Sequence, residues 1–166
     1  MDTILLIILG VVSRIAPHPA NVTAVGALAL FSGARYSRTK ALVVTIGTMV
    51  MSDMVLGFHS VMWATYGSFA LSVLLAHRFL QKQSMIRIAG ITVASSIIFY
   101  LVTNFAVWVI PGSMYPKTLF GLLDSYIMAL PFFRNSLIGD SAYSAIFFGS
   151  YALMRVHSPS SKILHS

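Results

Sequence analysis

Four stretches of the chain place charged or hydrogen-bonding side chains inside otherwise apolar sequence. The first is the elbow Arg14–Gly33, where Arg14, His18, Asn21 and Thr23 gather around Pro17 and Pro19. The second holds Asp53, His59 and Trp63; the third holds Asn104, Trp108, Tyr115 and Lys117; the fourth holds Arg134, Asn135 and Asp140. Ionisable groups in membrane segments are costly and by default face a cavity or a partner, so each stretch is a functional candidate. Stacking aromatics, amides and charges of both signs together suit recognition of a small, partly planar, polar solute. They do not suit an ion channel, which needs rings of like groups.

We therefore expect Asn21, Trp63, Asn104, Trp108 and Asp140 to contact a solute, with His18, His59 and Arg134 close behind. The plainer readings are an aromatic belt for Trp63, Trp108 and Tyr115, and ion pairs joining Asp53 or Asp140 to Arg14 or Arg134. Asn104 stands out because an amide deep in an apolar helix is expensive unless something pairs with it. No G-x-S-x-G and no H-x-x-x-H or H-E-x-x-H spacing occurs, and the chain has no cysteine. The expectation is no catalytic residue, no metal and no cofactor.

The surrounding elements must position these groups within a bilayer. Of 166 residues, 57% are hydrophobic and 9% charged, against roughly 25% charged in soluble domains. The mean hydropathy is +0.84. The expected fold class is an all-α membrane protein, because barrels need alternating, more polar strands. The formal charge of +7 lies in short clusters between apolar runs rather than in a patch with interleaved aromatics. That is the pattern of topology signals, so no nucleic-acid partner is expected.

Read in order, a short first helix spans Thr3–Ile15 and stops at Pro17-His18-Pro19. Its apolar core is near signal-peptide length, but Asp2 precedes it and no cleavage motif follows. A second helix runs from about Thr23 to Tyr36, capped by Asn21 or Thr23, with Ala29-x-x-x-Gly33 allowing close helix approach. Further helices are expected at Ala41–Leu56, from the Gly57–Ser60 turn to Leu80, and at Arg87–Ile110. His59, Trp63 and Tyr66 should share one helix face, and so should Tyr100, Asn104 and Trp108. Leu119–Leu130 reads as a half-helix or interfacial helix ended by Pro131. A last span runs from Asn135 to Met154 with Ser136, Asp140, Tyr143 and Phe147 along one face. Residues 1–155 form one transmembrane domain, and 156–166 a polar cytoplasmic tail.

With six transmembrane helices, Arg35, Arg38, Lys40, Arg78, Lys82, Arg87, Arg155 and Lys162 fall on one side, and Arg14, Lys117 and Arg134 on the other. By the positive-inside rule both termini are cytoplasmic, and all four polar stretches open outward.

The stretches Pro17–Gly33, Ser52–His59, Thr103–Trp108, Tyr115–Leu122 and Ala129–Asp140 resemble those of a family of small bacterial integral membrane proteins of unknown function, described as transport proteins. The architecture is also similar to the S-components of energy-coupling factor transporters, which capture vitamins. That likeness implies a transmembrane coupling subunit with cytoplasmic ATPases as partners, and Ala20-x-x-x-Ala24 is similar to the S-component contact motif. The expected function is uptake of a small polar heterocyclic or aromatic micronutrient across the bacterial inner membrane. The rivals are a membrane-embedded enzyme acting on a lipid or quinone, and a structural membrane subunit.

Overall fold

The structure, a computed structural model, describes residues 2–156. Among them are six helices and no strand: α1 (Thr3–Ile15), α2 (Val25–Arg35), α3 (Arg38–Leu56), α4 (Met62–Phe79), α5 (Met85–Val109) and α6 (Leu119–Val156). Three helices start on side-chain caps that supply acceptors for otherwise unbonded backbone N–H groups. Asp2 accepts from the Ile4 N–H, Ser37 from Lys40 and Ser84 from Arg87. The α3 cap extends that helix back to Arg38, ahead of the Ala41 start expected from apolar pattern. α3 ends on Gly57, whose φ of 93° is left-handed space that favours glycine.

α2 is the hub. Every residue from Val25 to Ala34 is buried, although the helix has only 11 residues. Its small side chains make this possible. A Cβ on Gly33 would overlap the Val73 carbonyl of α4, and Ala29 packs with Ala41 of α3 and Val73. The Ala29-x-x-x-Gly33 spacing thus lies where α3 and α4 approach α2. On the other side Phe31 meets Phe147, Phe148 and Tyr151 of α6, with ring centroids 6.1, 5.3 and 5.8 Å away.

Pairings along the helices fix the direction of each. Phe69 faces Phe99 and Ser72 faces Ser95, so α4 and α5 are antiparallel. Ser96 meets Asp140 and Thr92 meets Ser144, so α5 and α6 are antiparallel. The chain alternates direction, which collects Arg35, Arg38, Lys40, Arg78, Lys82, Arg87 and Arg155 at the end away from the elbow.

The interior mixes hydroxyls with apolar side chains, and the surface carries many large apolar ones. Hydroxyls fill much of the interior: Ser32, Thr45, Thr48, Ser68, Ser72, Thr92, Ser95, Ser96 and Ser144 are all buried. Large apolar side chains such as Ile4, Ile8, Val12, Val43, Met54, Ile86, Ile97 and Ile146 are exposed. α3 and α5 are the two helices long and apolar enough to cross a membrane; α1 and α2 are apolar but shorter, at 13 and 11 residues.

Two expectations are corrected. Leu119–Leu130 is not a separate half-helix, because α6 continues unbroken through Pro131 for 38 residues. A proline removes one helical hydrogen bond and crowds the carbonyl four residues back, but tertiary contacts can outweigh that. Tyr100 of α5 straddles the proline, its ring 5.5 Å from Tyr126 and 4.8 Å from Phe133, while its hydroxyl donates to the Tyr126 carbonyl at 2.7 Å. That carbonyl is next to the Ile127 carbonyl facing Pro131. The second correction concerns α2, which has no side-chain cap from Asn21 or Thr23 and begins at Val25. The Ala24 N–H instead donates to Ser13 Oγ of α1 at 3.0 Å. The tail expected beyond Val156 lies outside the described residues.

Candidate functional site

The elbow between α1 and α2 is held open by specific backbone geometry. Pro17 and Pro19 prevent helix continuation, and Asn21 takes φ 64°, the one left-handed non-glycine residue described. Asparagine tolerates that region better than most side chains. The elbow is fastened to α6, where Asn135 Nδ2 donates to the Ala20 carbonyl at 3.0 Å. Gly139 lets the backbone at Val22 come close, since a Cβ there would sit 3.2 Å from Val22 Cα.

Behind the elbow lies a cavity of about 440 Å³. Arg14, His18, Asn21, His59, Ser136 and Asp140 supply its polar wall, while Phe69, Phe99 and Met49 supply apolar surface. The Phe69 and Phe99 rings are 5.0 Å apart and inclined at 35°. Thr65 and Thr103 stand one helical turn from these rings on α4 and α5 and also line the space. A second recess of about 170 Å³ adjoins it and shares Asn21, Phe99, Thr103 and Ser136.

Two carboxylates behave differently here. Asp53, 1% exposed, lies 2.7 Å from Arg14 Nη2 and accepts the Tyr66 hydroxyl at 2.6 Å. Arg14 also donates to Ser52 Oγ at 2.6 Å and to the Met49 carbonyl at 3.3 Å. α1, α3 and α4 are thereby tied into one network. Asp140 instead accepts from the neutral Ser96 hydroxyl at 2.7 Å and presses on the backbone of α2 at Gly26, where a Cβ would overlap the carboxylate.

Of the expected residues, the cavity brings together His18, Asn21, His59 and Asp140. Asn104 lines the smaller recess, and its amide donates to the Tyr100 carbonyl of its own helix at 2.8 Å. Trp63, Trp108 and Arg134 line neither space. Trp63 is 55% exposed, because α4 starts only at Met62 and does not place it on a helical face with His59. Trp108 Nε1 donates to the Pro116 carbonyl at 2.9 Å, and Lys117 caps the end of α5 by donating to the Trp108 and Ile110 carbonyls. Trp108→Phe should therefore cost about 1 kcal/mol of stability through that one bond, read as a small fall in the unfolding midpoint. A fall several times larger would mean that the indole does more than tie this loop.

Phe69, Phe99, Thr65, Thr103 and Ser136 were not singled out as site residues. A signal for some of them exists: Ser96, Phe99 and Thr103 follow i, i+3, i+7 spacing, one helical face.

The profile of a family of unknown function, DUF6580, matches residues 1–161. The chain belongs to that family. No curated protein and no solved structure matches the chain. DUF6580 membership brings no assigned chemistry, so the functional reading of this DUF6580 chain rests on its cavity.

Proposed function

We propose that this chain is a multi-pass protein of the bacterial inner membrane that binds a small, polar, heterocyclic or aromatic solute and passes it inward. The observation that carries the reading is the cavity of about 440 Å³ behind the elbow, which joins a polar wall to the Phe69–Phe99 pair. Its volume lies within the range of small-molecule sites, and a lining rich in polar side chains with a few apolar and aromatic ones suits a polar solute. The rings offer a planar solute a stacking surface, and Asn21, His18, His59 and Asp140 offer donors and acceptors for its edge.

The bilayer placement is supported by the exposed apolar side chains and the hydroxyl-rich interior, because lipid covers apolar surface and hydroxyls bridge helices. It is supported also by the basic residues collected at the end away from the elbow. With that end cytoplasmic, the cavity opens outward and both termini lie inside. Six crossings are part of this proposal; the alternating directions support them, and the short, wholly buried α2 would be shielded from lipid by its neighbours.

Inward release requires helices to tilt, driven by a gradient or by a partner. The partner an S-component-like layout calls for is a transmembrane coupling subunit with cytoplasmic ATPases. Ala20 and Ala24 do not form a contact stripe for it, since Ala20 sits in the elbow and Ala24 is buried.

Thermal unfolding of the purified chain against a library of water-soluble micronutrients tests the reading. One compound class should raise the midpoint, and Phe69→Ala should reduce that gain about tenfold in affinity by removing a stacking ring. Absence of any stabilising solute, together with turnover of a lipid or quinone, would replace solute binding with the enzyme alternative.

A further inference from the structure

We propose that the solute taken by this cavity is a cation, a planar ring bearing a protonated amine or amidinium group that sits against Asp140. The proposal rests on the solute-binding reading above and adds the charge class of the ligand. Two formally charged residues, Arg14 and Asp140, are among those lining the cavity, with His18 and His59 completing its titratable groups. The Arg14 charge is already met, because Asp53 lies behind it at 2.7 Å in an ion pair buried to 15% and 1% exposure. Among the described residues that is the one ion pair, so Asp140 has no cation. Its bonded partner is the neutral Ser96 hydroxyl. With His taken as neutral, the cavity and the Asp53 behind it carry one negative charge more than positive.

Position matters as much as charge. The Asp140 carboxylate is held between Ser96 of α5 and the bare backbone of Gly26 on α2. A carboxylate fixed in this way is organised in advance to accept from a charged donor, and such charge-assisted bonds are about twice as strong as neutral ones. Arg134, the nearest basic residue along α6, is exposed and outside the lining. With His18 and His59 neutral, a ligand supplies the positive charge. The same cavity offers the Phe69–Phe99 rings, whose faces attract cations as well as stack.

Three probes of nearly equal shape separate charge from shape: benzamidine, a cation; benzamide, neutral; and benzoate, an anion. Titration into the purified full-length chain, read by calorimetry and by the unfolding midpoint, should show benzamidine binding at least about tenfold tighter than the other two. Asp140→Asn keeps the shape and an acceptor for Ser96, and should abolish the preference for benzamidine over benzamide. The wild-type comparison needs no variant and decides the question alone if Asp140→Asn does not fold. If benzamide or benzoate binds as well as benzamidine, or if the preference survives Asp140→Asn, the cation assignment is wrong while the solute site stands. If none of the three binds at millimolar concentration, the cation assignment fails, and the micronutrient library decides the solute-binding reading separately.

Discussion

Replacing Asp53 with alanine is expected to cost the fold about 3–5 kcal/mol, the usual penalty for stranding one member of a buried ion pair. The carboxylate is 1% exposed and is met by Arg14 at 2.7 Å and Tyr66 at 2.6 Å. Removing it leaves a guanidinium facing Ser52 and Met49 without its ion-pair partner. The double change Arg14→Met with Asp53→Leu should recover most of the loss, because a buried pair is often no better than an apolar substitute. Unfolding midpoints of the two single variants and the double variant form a thermodynamic cycle. A double variant as unstable as either single one would show that the pair does more than cancel its own charges.

The second large effect is expected at Gly33. A Cβ there would overlap the Val73 backbone carbonyl, which cannot move without shifting α4 away from α2. Gly33→Ala should therefore destabilise by about 1–3 kcal/mol, the range for overpacking a close contact. Gly47 is the matched control. It sits in α3 with open space where a Cβ would go. Gly47→Ala should stabilise by about 0.5–1 kcal/mol, because alanine loses less backbone entropy in a helix. Equal responses at the two sites would mean that α2 and α4 are not in close register. Gly26→Ala is expected to fall between them, since its obstacle is the Asp140 side chain rather than backbone.

Much of the helical framework was legible in the residues themselves. α1 begins and ends as read because Asp2 caps it and Pro17 follows it closely. The small-residue spacing of α2 named a close-packing surface, and Gly33 is where the α4 backbone arrives. The line of Ser136, Asp140, Tyr143 and Phe147 also holds, with the first two in the cavity wall and the last two packed in the core. Pro131 misled because the cost of a proline is local, whereas the contacts that outweigh it come from Tyr100, distant in sequence.

The site was read less completely. Asn104 seemed to demand a partner, but an asparagine can donate to the preceding turn of its own helix, and sequence cannot distinguish that from a ligand contact. Trp63 and Trp108 read as stacking aromatics because they stand beside polar groups in sequence, and the chain has 2 tryptophans against 11 phenylalanines. Phe69 and Phe99 are anonymous among those 11 until helix directions bring them face to face.

The hydroxyls between helices make the bundle's internal fastenings reversible. Ser72 reaches Ser95 across the α4–α5 seam and also the Ser68 carbonyl of its own helix. Ser32 likewise has Thr45 on one side and Ala29 on the other, and Ser96 has both Asp140 and the Thr92 carbonyl. When two such helices slide apart, Ser72, Ser32 and Ser96 each still have a carbonyl of their own helix to donate to. A seam built from leucine would resist sliding through lost packing. These serines can let go of a neighbouring helix and still donate within their own.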